Sequence, residues 1–123
     1  MKKILVTAFV VTLFSSCGGS NENTSKSEDK TTNPDYQKGL DAINRTPICA
    51  TCHKIDETIN GPAWREVANK YADRQDTAFN YLVNKVLNGG TGVWGEAYMP
   101  PNSAVPKEDV EAIVKYIFLL KNK

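Results

Sequence analysis

The run Cys49-Ala50-Thr51-Cys52-His53 holds the only histidine of the 123-residue chain and two of its three cysteines. C-x-x-C-H is the attachment signature of c-type haem. Two thiols three residues apart on one tight helical turn can each form a thioether with a haem vinyl group. The next residue then aims its imidazole at the iron. A lone histidine falls directly behind a C-x-x-C pair in roughly 1 of 120 random placements, so the run carries weight. Two other chemistries use paired cysteines. A structural zinc site wants four Cys/His ligands, and here only Cys17 remains, with no second histidine. A redox dithiol of the thioredoxin kind wants a βαβ setting, which the residues around Cys49 do not supply.

Upstream, the chain reads as exported. Lys2 and Lys3 precede an apolar stretch from Ile4 to Phe14, too short for the roughly 20 residues of a membrane-spanning helix. Ser15-Ser16-Cys17 follows. Residues 1–16 therefore resemble a bacterial lipoprotein signal, which makes Cys17 the acylated first residue of the mature chain. The alternative is an ordinary secretory peptide that leaves a free protein. Several acyl chains would exceed the two signals that stable anchoring takes. From Gly18 to Thr32 there is no large apolar residue, so residues 17–32 read as a lipidated cysteine and a disordered tether. Its reach is roughly 20–23 Å.

Residues 33–123 form one small domain with eleven basic and eleven acidic side chains. That balance argues against nucleic-acid binding, which leaves a basic footprint. A polypeptide core this small is thin, and a buried macrocycle would fill much of it. The periodicity is helical, with no convincing strand. Asn33-Pro34 reads as a cap and first residue, followed by Tyr36, Leu40 and Ile43. Trp64, Val67, Ala68 and Tyr71 repeat the spacing, as do Phe79, Leu82, Val83 and Val86. Asn88-Gly89 reads as a stop. A last helix is expected from near Pro106, burying Val110, Ile113, Val114 and Ile117. Glu108, Asp109 and Glu111 lie in its first turns and Lys121 and Lys123 at its end, which suits the helix dipole.

No periodicity appears from Gly89 to Val105, and a long aperiodic loop in a small domain tends to be functional. It carries Trp94 and Met99, the only methionine left once Met1 departs with the signal. Alone, a loop methionine reads as packing. Beside a C-x-x-C-H it becomes the candidate for the sixth iron position, braced by Pro100-Pro101.

Taken together, four blocks resemble the short bacterial class I cytochromes c, single-haem electron carriers. They are Cys49–Asp56, then Asn60-Gly61-Pro62-Ala63-Trp64, then Asn88–Trp94, then Tyr98-Met99-Pro100-Pro101-Asn102. The resemblance spans Asp35 to Lys121. It implies an all-α class I cytochrome c fold, with four to five helices wrapped around one haem c bound covalently through Cys49 and Cys52. It makes His53 the proximal and Met99 the distal ligand. The Pro62 carbonyl would accept the other ring N–H of His53, Trp94 would bond a propionate, and Asn102 would steady the methionine loop. Lys85 stands where related chains often carry an arginine toward a propionate, and a lysine cannot make the same fork. Gly39 is expected to let the first helix approach Tyr116 on the last. The implied function is one-electron transfer rather than catalysis, by a monomer tethered in the bacterial envelope and facing the periplasm, with redox proteins as donor and acceptor. Two rival roles are a haem enzyme or gas sensor whose methionine dissociates, and a fixed relay subunit of a membrane complex.

Overall fold

A computed structural model describes residues 29–122. Among these, five α-helices and one small hairpin follow in order. The helices are α1 (Pro34–Arg45), α2 (Cys49–Cys52), α3 (Trp64–Lys70) and α4 (Gln75–Asn88), and α5 (Lys107–Leu119) closes the fold. Between α4 and α5 stand β1 (Gly90–Gly92) and β2 (Gly95–Met99), paired antiparallel. The sequence led us to expect no strand here. Three of the eight strand residues are glycines, which contribute nothing to an alternating pattern, so the hairpin was invisible to periodicity.

α1 starts where its sequence says it should. The Asn33 side chain accepts from Asp35 N at 2.8 Å, with Pro34 as the first helical residue. The described residues begin a little earlier, inside the stretch expected as tether. Asp29 caps a 3-10 turn over Lys30–Thr32, and Lys30 Nζ donates to the Lys121 carbonyl at 2.9 Å.

α5 is the hub: it packs against α1, α3 and α4. Its buried residues are Val110, Ile113, Val114, Tyr116, Ile117 and Phe118, so its apolar surface is wider than the four-residue stripe read from sequence. A helix buried on most sides needs satisfied ends. The cation at its carbonyl end is Arg65 of α3, whose Nη1 donates to Leu120 O at 2.5 Å. Lys121 lies beyond the helix, and Lys123 lies outside the described residues.

The α1–α5 crossing depends on Gly39. A Cβ there would overlap Cβ of Tyr116 and come within 2.7 Å of the Ala112 carbonyl. Tyr116 is 1% exposed and meets aromatic rings from two other elements. Its centroid lies 4.9 Å from Tyr36 and 6.2 Å from Trp64, the latter edge-on. Burial first, and Tyr36 second, push its phenol up to about 12. Arg45 at the end of α1 pairs with Asp109 at the start of α5 at 2.5 Å, each charge suiting its helix end.

Replacing Gly39 by Ala should destabilise the protein by about 1–3 kcal/mol, the usual cost of overpacking. Denaturant unfolding should show a lower midpoint with an unchanged slope.

Candidate haem site

The chain between α1 and α3 builds the first wall of a cleft. Thr46 Oγ1 caps α1 by donating to Ala42 O at 2.6 Å. A run of backbone bonds then winds the next turn: Cys49 N to Thr46 O, Ala50 N to Pro47 O, Thr51 N to Ile48 O, and His53 N to Cys49 O at 3.0 Å. The result is α2, with both cysteines half-buried and His53 leaving in an extended conformation. Residues 54–63 fold back over the histidine. Gly61 N donates to Cys52 O at 2.8 Å, and Trp64 N to Lys54 O at 2.9 Å.

That return brings the Pro62 carbonyl within 2.8 Å of His53 Nδ1. A carbonyl only accepts, so Nδ1 carries the proton and Nε2 keeps its lone pair. Gly61 lies against the same ring; a Cβ there would stand 2.5 Å from Cε1. Trp64 stacks on the imidazole with centroids 6.2 Å apart. The ring is thus held by one polar bond and two flanking surfaces.

α4, the hairpin and α5 supply the other walls. Val86, Val110, Ile113, Val114 and Ile117 line the same cleft as Cys49, Cys52, His53, Pro62, Trp94, Met99 and Asn102. Met99 ends β2. Gly89, at φ +68°, closes α4 so tightly that a Cβ would overlap Met99 O and lie 2.8 Å from the Pro100 carbonyl carbon. Asn102 ties the exit from this segment: its Nδ2 donates to Pro100 O at 2.9 Å and to Val86 O at 3.3 Å. Trp94 sits at the hairpin tip, with Lys70 Nζ 5.2 Å from its ring centroid. Lys85 Nζ donates to Thr91 O at 3.4 Å beside them.

Seven of the eight residues singled out from sequence therefore line one cleft. The eighth, Cys17, lies outside the described residues. Sequence reading missed two contributions. The α5 residues read only as core also wall the cleft, and periodicity cannot tell a buried cofactor from a buried neighbour. The other is the bracing of residues 54–63, where Arg65 pairs with Asp56 and Thr58 Oγ1 donates to Glu66 Oε2 at 2.5 Å. Glu66, three residues beyond Ala63, was the available signal.

The donor set suits haem c. Two thiols share one turn, an imidazole has its outward nitrogen free, a thioether shares the cleft, and apolar side chains dominate the walls. It does not suit the alternatives. Among the described residues no three His, Cys, Asp or Glu side chains cluster as a metal site would require. Burial pushes the Cys49 thiol up, opposite to the lowered value that makes a redox dithiol reactive.

A small helical fold around an apolar cleft with a C-x-x-C-H turn defines a c-type haem protein. The sequence pattern of the family described as Cytochrome c matches residues 38–121, and the chain belongs to that family. It is similar to cytochrome c-552 of Nitrosomonas europaea, 42% identical over 73 residues that make up 59% of this chain and 70% of that one. It is also similar to cytochrome c-551 of Allochromatium vinosum, 47% identical over 70 residues, 56% of this chain and 72% of the other. The crystal structure of wild-type Nitrosomonas europaea cytochrome c552 superposes with a TM-score of 0.61 at 39% identity, covering 67% of this chain and 99% of that one. The protein is accordingly an electron carrier with one covalently attached haem c, for which Cys49 and Cys52 are correctly spaced.

Proposed function

We propose that the protein is a lipid-tethered, one-electron shuttle of the bacterial periplasm, with His53 and Met99 as the two axial ligands. When bound, haem supplies the one-electron iron(III)/iron(II) couple. The observation that carries the ligand assignment is the His53–Pro62 bond. It commits Nδ1 to donation and leaves Nε2 as the only ligating nitrogen of the chain's only histidine. Met99 offers thioether sulfur in the same cleft, and Gly89 and Asn102 fix the backbone that presents it.

If His53 and Met99 both hold the iron, no position would remain for oxygen, peroxide or an organic substrate. That arrangement favours electron transfer over catalysis. A thioether ligand also raises the potential relative to a second histidine. Trp94, which lines the cleft, would meet a propionate through its indole N–H. Ile48 and Tyr98 are 57% and 65% exposed and also line the cleft. An exposed apolar rim suits brief docking of a donor and an acceptor by a protein that is itself monomeric. Among the described residues no helix is long and apolar enough to cross a membrane. Membrane attachment in this reading rests on an acylated Cys17, for which the support is the Ser15-Ser16-Cys17 run behind the apolar stretch Ile4 to Phe14.

Two variants test this reading. Met99→Ala should open the iron to carbon monoxide, abolish the weak red-edge charge-transfer band, and lower the potential. The ferrous-to-ferric ratio at fixed ambient potential should fall at least about tenfold, or 59 mV for one electron. A wild-type spectrum and potential in that variant would make another group the native ligand. Cys17→Ala should release soluble holoprotein or block removal of the signal. A variant still fully membrane-bound with its signal correctly removed would end the lipid-anchor assignment.

A further inference from the structure

The Pro62 carbonyl belongs to the same peptide group as the Ala63 N–H, and that N–H is bound to a carboxylate as well as to a hydroxyl. It donates to Glu66 Oε2 at 3.1 Å, and to Thr58 Oγ1 at 3.2 Å. Thr58 Oγ1 in turn donates to the same Glu66 oxygen at 2.5 Å. A line of hydrogen bonds thus runs from a carboxylate, through one peptide unit, to the proton on His53 Nδ1. Ala63 is buried, so its N–H meets the carboxylate away from bulk water, although the Glu66 and Thr58 side chains themselves reach the exposed surface.

We infer that Glu66 is a positioning residue that tunes the basicity of His53 through the Pro62–Ala63 peptide. A peptide group is conjugated, so a negative charge on its N–H side draws the proton outward and shifts electron density onto its carbonyl oxygen. A more negative Pro62 oxygen binds the His53 Nδ1 proton more tightly. The imidazole gains imidazolate character, and Nε2 becomes the stronger donor. Stronger donation favours the ferric state. Glu66 therefore lowers the reduction potential without touching the histidine. Thr58 moderates the effect by competing for the same carboxylate oxygen.

Ordinary helix capping would account for the Glu66–Ala63 bond alone. What it does not account for is a signed response of the histidine, and that separates the two. The inference rests on His53 being the ligand.

The holoprotein provides the test. Glu66→Gln keeps an oxygen able to accept from the Ala63 N–H and removes the charge. Its ferrous-to-ferric ratio at fixed ambient potential should rise by about threefold, equivalent to about 28 mV at 59 mV per tenfold. The His53 Nδ1–H resonance of the ferrous protein should move upfield. Thr58→Ala leaves Glu66 as the sole acceptor with its full charge, so both signals should move the other way. Glu57→Gln removes an equal charge from a side chain of the same loop that is exposed as Glu66 is, and should move either signal much less. A cap without a relay would let Glu66→Gln leave both signals at their wild-type values, or would move the Glu66 and Thr58 variants in the same sense; either result overturns the inference. So does a Glu57→Gln shift as large as that of Glu66→Gln. If Glu66→Gln does not fold, the direction of the Thr58→Ala shift decides alone. Absence of ring-current-shifted His53 protons in the wild type would overturn both the ligand assignment and the relay. Their presence with unmoved variants overturns the relay only.

Discussion

The bond from His53 Nδ1 to the Pro62 carbonyl, 2.8 Å long, joins two segments that the Gly61 N–Cys52 O bond also ties together, and it alone orients the imidazole through a polar contact. On one side is a four-residue helix with no side-chain cap. On the other is a loop of ten residues with few apolar anchors. Much of the chain between α1 and α3 can be understood as serving this contact. Gly61 gives up its side chain to let the backbone reach the ring. Arg65 grips Asp56 and the end of α5 together. Glu66 and Thr58 hold the peptide that supplies the acceptor. Once the proton is placed on Nδ1, the chemistry of the other nitrogen is decided.

The same economy governs the core. Val110, Ile113, Val114 and Ile117 belong to the hydrophobic cluster that packs α5 against its neighbours, and they also line the cleft. Protein packing and cofactor packing are therefore one problem. A domain of this size buries only a modest fraction of its surface by itself, so a covalently held macrocycle contributes to stability as well as to redox chemistry. The rigidity of the cleft then follows largely from close packing, with few further ties on the methionine side. There, Gly89 and Asn102 suffice to fix the segment from Met99 to Pro101.

Local signals in the sequence were reliable wherever they rested on side chains. Asn33-Pro34, the apolar spacing of α3 and α4 and the stop at Asn88-Gly89 all appear where chemistry placed them, and the Gly39–Tyr116 approach appears where the family resemblance implied it. The C-x-x-C-H run located the cleft because its spacing has few other uses. The hairpin escaped notice because Gly90, Gly92 and Gly95 carry no pattern to read, and their positive φ angles are a backbone property. The cation at the end of α5 was misassigned for a related reason. Arg65 is distant in sequence, and only the folded chain brings it to Leu120. Long-range partners of this kind have no local signature.

The account stands or falls on covalent haem at the α2 turn, and intact mass spectrometry of the denatured mature protein measures that directly. The mass should exceed that of the processed chain by one haem, retained after acidified organic extraction and mapped to the peptide holding Cys49 and Cys52. A chain at its bare polypeptide mass, with haem released into the organic phase, would contradict it.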